Sequence, residues 1–219
     1  GQSAALQRGA TTVMAITTYA ELQTSIANWL NRDDLTTVIP DFISLTEASI
    51  NRDLRHYKMI NRVDATLDSR YVQMPADWIE TVRFGITSGT TYRIELISRD
   101  DMLEYRQNNN DTSGIPRFYA NIGDTIEVFP TPDADYQMQL QYYAKTPALS
   151  SSNASNWLLT TAPDIYLYGS LIQAAPYLND DARTQTWAAL YSSAMQSLQK
   201  ASDDTRFAGS GIRMRVTSY

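Results

Sequence analysis

The 219-residue chain has no cysteine. Disulfides, thiol catalysis and thiolate metal sites are therefore excluded. It has one histidine, His56, so a multi-histidine metal site cannot form within one chain. No Gly-x-Ser-x-Gly nucleophile elbow, Gly-Lys-Ser/Thr phosphate loop, Gly-x-Gly-x-x-Gly or Asp-x-Asp-x-Asp-Gly calcium loop occurs. His56 is read as a structural or surface residue late in the second helix, and no metal, cofactor or catalytic residue is expected. Basic charge is also short: 18 Lys and Arg stand against 24 Asp and Glu, a net charge of −6. Non-specific nucleic-acid binding needs a basic surface that displaces counterions, which the chain as a whole lacks. No apolar run reaches the roughly 18–20 residues needed to span a bilayer, and the first residues carry no basic-then-apolar pattern of a signal peptide.

What the chain does have is tyrosine, 14 against 5 phenylalanines. An apolar body with a polar tip suits interfaces, and strands also favour it. The clearest pattern covers 125–143. Tyr136, Met138, Leu140 and Tyr142 alternate with Gln137, Gln139, Gln141 and Tyr143, which places the glutamines on one face of a strand. Ile126 and Val128 alternate likewise before it, and Pro130-Thr131-Pro132-Asp133-Ala134-Asp135 between the runs has turn composition. A half-buried hairpin with a stiff tip is expected. Pro130, Pro132, Gln137, Gln139 and Gln141 are its candidate protein interface, since uncharged amides meet a neighbour at little desolvation cost.

Helical patterns lie on both sides. Residues 1–13 show no periodicity and are expected to be a leader or flexible arm ahead of Met14. Thr18 with Glu21 makes a capping box for a helix to about Leu30. A second helix starts near Pro40 and runs to about Tyr57. From Asn61 the period becomes two, and hairpins are expected for 63–67 with 71–74, 78–87 with 91–97, and 117–122 with 124–129. A short helix capped by Ser98 covers about 99–107, and the polar loop Asn108–Gly114 is expected to be exposed and mobile. Residues 146–160 read as a linker. The helix 163–178 is apolar nearly all round and therefore buried. Asn179, Asp180 and Asp181 are expected to cap the last helix.

After Asp204 comes a stretch with Arg206, Arg213 and Arg215 and no acid, alternating with Phe207, Ile212, Met214 and Val216 and ending in Tyr219. Extended, it reaches roughly 50 Å at about 3.4 Å per residue. Arginine forks carboxylates while apolar residues fill pockets, so a protein-docking arm is expected over 205–219. The fold class is α+β: terminal α-helices packed as a bundle (14–60 and 161–204), an inserted antiparallel β-sheet (61–145), and an extended C-terminal arm, with 14–204 a single domain. The acid pairs Asp33-Asp34, Asp100-Asp101, Asp180-Asp181 and Asp203-Asp204 stand at helix termini or loops, where capping and solubility account for them.

The Thr17-Thr18-Tyr19-Ala20-Glu21-Leu22 helix start, the Met74-Pro75-Ala76-Asp77-Trp78 turn, the 129–143 hairpin and the closing helix pair with its arm occur in an order that resembles the head-to-tail adaptors (connector, tail tubular protein A-like or head-completion proteins) of tailed bacteriophages. The resemblance covers 14–219. It implies a structural, non-enzymatic virion protein at the head-tail junction, assembled in the host cytoplasm as a ring, usually a dodecamer, beneath the portal protein. It also implies a tail or nozzle partner, passage of genomic DNA through the ring, and no membrane. By the same resemblance Arg206, Phe207, Ile212, Arg213, Met214, Arg215, Val216 and Tyr219 are the portal-binding residues. A carbohydrate- or cell-surface-binding module of a phage tail is the alternative, motivated by tyrosine and by 4 tryptophans. A hydrolase using paired acids such as Asp100 and Asp101 is the third.

Overall fold

The computed structural model describes residues 15–178 and 182–207. The leader, the Asn179–Asp181 cap and arm residues 208–219 lie outside them, as does the Phe207 side chain. The chain forms two compact units, one of residues up to Arg52 with Pro147–Leu198, the other of Asp53–Thr146 with the chain from Gln199 onward. The α+β class is borne out.

The first unit is helical: α1 (Tyr19–Leu30), α2 (Ile39–Asp53, its last residue in the second unit), α4 (Trp157–Thr161), α5 (Pro163–Ala174) and the part of α6 (Thr184–Phe207) up to Leu198. The capping box forms as expected: Thr18 Oγ1 accepts from the Glu21 N–H at 3.3 Å and Glu21 Oε2 from the Thr18 N–H at 2.9 Å. Asn31, in the left-handed region at φ 54°, ends α1. Leu22, Ile26, Ile43, Ile50, Leu158, Ile165 and Leu171 are fully buried, each contributing roughly 1.5–3 kcal/mol by removal from water. Helices α2 and α5 meet at Gly169, where a Cβ would stand 2.4 Å from Thr46 Cγ2. Within the stretch read as a linker, α4 forms under an Asn156 cap and Leu149 is buried. This segment is tied down by a satisfied polar chain. Asn156 Nδ2 donates to Pro147 O at 2.8 Å and to Tyr166 Oη at 2.7 Å, and Tyr166 donates to Glu47 Oε1 at 3.2 Å, which also accepts the Leu149 N–H at 2.7 Å.

The second unit holds β1 (Ile60–Leu67), β2 (Tyr71–Gln73), β3 (Trp78–Ile86), β4 (Tyr92–Arg93), β5 (Glu95–Leu96), α3 (Arg99–Asn108), β6 (Phe118–Ile122), β7 (Thr125–Phe129) and β8 (Tyr136–Ala144). They form two four-stranded sheets rather than one: sheet A in the order β1-β8-β3-β4 and sheet B in the order β2-β7-β6-β5. Leu67, Phe84, Met138, Leu140 and Tyr142 from sheet A and Tyr119, Ile126 and Val128 from sheet B fill one core between them.

This corrects the expected pairings. The runs 125–129 and 136–143 are not a hairpin: β7 pairs with β2 and β6, and β8 with β1 and β3. Residues 130–135, which begin with the cis Phe129-Pro130 bond, carry the chain across from one sheet to the other. The runs 63–67 and 71–74 part in the same way. The 78–97 pair holds only at Gly85–Arg93 and Ile86–Tyr92 before the chain passes through buried Ile94 into sheet B, where β5 runs parallel to β6. The β6–β7 hairpin around Gly123, at φ 61°, is as expected. A period of two assigns a face to each strand and leaves the partner open.

Helix α3 covers the outer face of sheet B, with Met102 against Ala120 and Phe129. Beneath it Glu127 Oε1 accepts from Arg106 Nε at 2.7 Å and Arg70 Nε at 2.8 Å, and Arg106 Nη2 donates to Val128 O at 2.6 Å. Loop 108–114 is exposed yet fastened. Asp111 pairs with Arg106, its N–H donates to Arg106 O at 2.8 Å, and the Gly114 N–H donates to Thr131 O at 2.8 Å.

Candidate functional site

Helix α6 continues through Phe207, three residues into the stretch assigned to the arm. Its last turns, with the segment after α2 and the end of β8, make one cluster, the root, just ahead of the rest of the stretch expected to be the arm. Arg206 Nη1 donates to Tyr143 Oη at 3.0 Å. Tyr143 is buried, and the Arg55 guanidinium carbon lies 5.9 Å from its ring centroid. Arg55 Nε in turn donates to Glu80 Oε2 at 3.0 Å, and its Nη1 to Leu54 O at 2.7 Å. One turn earlier, Ser202 Oγ accepts from the Tyr57 N–H at 2.9 Å, and Gln199 Nε2 donates to Arg55 O at 3.3 Å.

His56 belongs to this root and not to α2, which ends at Asp53. Its Nδ1 accepts from the Lys58 N–H at 3.2 Å and caps the 3-10 turn Tyr57–Met59. The ring is buried, so it is structural and not a surface residue. Burial, then the charge of Lys58, lowers its pKa and keeps it neutral.

Tyr143 shares a face of β8 with Gln137, Gln139 and Gln141. Because β8 lies between β1 and β3, the glutamines run along the middle of sheet A's outer face. Gln137 Nε2 donates to Thr66 Oγ1 at 3.3 Å, Gln139 Nε2 to Asp64 Oδ1 at 2.9 Å, and Gln141 Nε2 to Gln139 Oε1 at 3.1 Å. The structure thus ties Arg206 to Tyr143, which shares its strand face with the three glutamines. Pro130 and Pro132 do not join them. They flank Thr131 in the crossover at the far end of β8, beside Gly114.

Sequence reasoning missed Tyr143, Arg55, Gln199 and Ser202. Their partners lie up to 145 positions apart in sequence, as for Tyr57 and Ser202, and no local pattern marks them. Ile212, Arg213, Met214, Arg215, Val216 and Tyr219 lie outside the described residues.

Among the described residues no group of three or more His, Asp or Glu could hold a metal ion. No described helix is long and apolar enough to cross a membrane. Asp100 and Asp101 stand in the first turn of α3, where Ser98 Oγ caps the Asp101 N–H at 3.0 Å. Of the aromatic residues behind the carbohydrate-binding alternative, Tyr142 and Trp187 are buried and Tyr136 packs on the sandwich core, whereas Trp29, Tyr71 and Tyr105 are exposed.

The family model described as SU10 adaptor protein matches residues 17–215. The chain belongs to this phage adaptor family. The adaptor's role is therefore structural, at the head-tail junction of a bacteriophage virion and in tail assembly, with portal and tail proteins as its partners. No curated protein matches the adaptor chain.

Proposed function

We propose that this adaptor assembles as a ring, a dodecamer, beneath the portal, continues the DNA channel, and offers the surface to which the tail or nozzle protein attaches. The arm docks on the portal through Arg206, Phe207, Ile212, Arg213, Met214, Arg215, Val216 and Tyr219. Assembly takes place in the host cytoplasm. The observation that carries the reading is the root: the end of α6 is stapled to Tyr143 and to the Tyr57 N–H, which fixes the place where the basic, apolar-alternating stretch of the sequence begins. The net charge of −6 suits a channel that passes DNA without retaining it. The amide face of Gln137, Gln139 and Gln141 is assigned to the neighbouring subunit or the tail, because neutral amides lose little on desolvation when they are paired.

The test is removal of 208–219, which keeps Arg206 and the whole of α6. The shortened protein is expected to keep its fold by circular dichroism and to lose portal binding in a pull-down or by interferometry. Undiminished portal binding overturns the arm assignment. Mass measurement of the free protein and of its mixture with portal tests the ring, which fails if no oligomer appears in either sample.

A further inference from the structure

We propose that residues 212–216 of the same chain dock along the open edge of β1 in the free subunit, adding a strand parallel to β1 at the margin of sheet A. Strand β1 is eight residues long and, among the described residues, pairs on one side only, with β8. The other sheet edges, β2, β4 and β5, are three, two and two residues long. A long open edge presents a row of unpaired N–H and C=O groups that invites another strand. In β1 the Arg62 N–H is met by the Asn61 carboxamide oxygen at 2.9 Å, and among the described residues no strand covers the rest.

Three further observations choose the occupant. First, the core is unfinished at this margin: Leu67 is fully buried, whereas Val63 and Ala65 on the same face of β1 are only half-buried. Second, the last described residues are held at the correct end. Arg206 is held on Tyr143, and the cross-strand partner of Tyr143 is Ile60, the first residue of β1. A segment that starts there and advances toward Leu67 runs parallel to β1. Third, Ile212-Arg213-Met214-Arg215-Val216 alternates with a period of two. Its apolar members extend the row Val63, Ala65, Leu67 over the core, and its arginines fall on the outer face beside Asp64. That acid has only an exposed 3.4 Å pair with Arg62 and the Gln139 amide for company. Five residues span roughly 17 Å, within the roughly 26 Å of an eight-residue strand. The added strand closes the edge against pairing between copies, and portal docking then begins by drawing it off. The inference rests on the isolated chain and is tested without portal, so its failure leaves the docking proposal standing.

The lack of cysteine makes the test clean. With Ala65→Cys fixed, a second cysteine is placed in turn at 212, 213, 214, 215 and 216 of the full chain, and each monomer is oxidised at low concentration. An intrachain disulfide is expected to form roughly tenfold faster for the parity that shares Ala65's face (212, 214, 216) than for 213 and 215, because Cβ atoms on opposite faces do not meet disulfide geometry. Equal rates at all five positions overturn the proposal, and so does a predominantly interchain disulfide, which would make a second copy the occupant. An independent measurement uses no cysteine variant: amides of 60–67 are expected to exchange roughly tenfold faster in the chain ending at Phe207 than in the full chain. Identical exchange in the two overturns it as well.

Discussion

Arg206 reaches back from the last turn of α6 to the hydroxyl of Tyr143, at 3.0 Å, so the end of α6 is fastened to the same strand face that carries Gln137, Gln139 and Gln141. Tyr143 is also covered by Arg55. Tyr143→Phe removes the acceptor while Arg206 remains free to find water, so the loss is expected to be at most about 1 kcal/mol. Tyr143→Ala also removes a buried ring and is expected to cost about 3 kcal/mol or more. Urea titration separates the two, and hydrogen exchange of 199–206 is expected to rise in both.

Arg106 and Arg62 both pair with acids, but only Arg106 is buried, with 5 % of its surface exposed. Arg106→Ala strands Glu127 beneath α3 with Arg70 as its remaining partner, and breaking a buried pair from one side costs about 3–5 kcal/mol. Arg62→Ala removes an exposed pair at 3.4 Å, where the change is expected to stay within about 0.5 kcal/mol. Equal losses in urea titrations of the two variants would refute this account of the clasp.

Glu47 lies buried in the helical unit, and that burial raises its pKa above 4.5 despite the hydrogen bonds from Leu149 and Tyr166. The folded state therefore holds this proton more tightly than the unfolded chain. Its stabilising effect is complete below the unfolded value near 4.5, is lost as pH rises through the higher folded value, and stays lost beyond it. Glu47→Gln keeps an acceptor for Leu149 and cannot ionise. The stability of the native protein relative to this variant is expected to fall as pH rises from about 4 to 7. A difference that does not change across that range, measured by denaturant titration at each pH, counts against it.

Gly169 sets the spacing of α2 and α5. A Cβ there meets Thr46 Cγ2 at 2.4 Å and Tyr191 Cε2 at 3.1 Å, and Thr46 is held by its hydrogen bond to Phe42 O at 2.8 Å. Gly169→Ala is expected to cost about 1–3 kcal/mol through overpacking. Adding Thr46→Ser removes the clashing methyl, keeps the hydroxyl, and is expected to recover part of that loss. A double variant less stable than Gly169→Ala alone in thermal melts would show that the clash lies elsewhere.

Much of the local structure was legible in the residues. The Thr18–Glu21 box, the Ser98 cap, the buried α5 and the inward face of Met138, Leu140 and Tyr142 each follow from patterns within a few positions. Strand partnership was not, because a period of two says which way a side chain points and nothing about which strand lies alongside. Ile126 and Val128 fill the same core as Met138 and Leu140 but from the opposite sheet, an arrangement that the residues of a single hairpin would produce equally well. Glu127 carries the same lesson. It alternates like a solvent-facing residue, and it is buried because Arg70 and Arg106, 57 and 21 positions away, converge on it. The fastening of the end of α6 depends likewise on Tyr143, Arg55, Gln199 and Ser202 meeting through the fold. The sequence by itself determined the caps and the faces, since these depend on neighbours along the chain. The tertiary structure alone decided the division into two sheets and the place where the end of α6 is held, since these depend on contacts whose entropy cost only the folded core offsets.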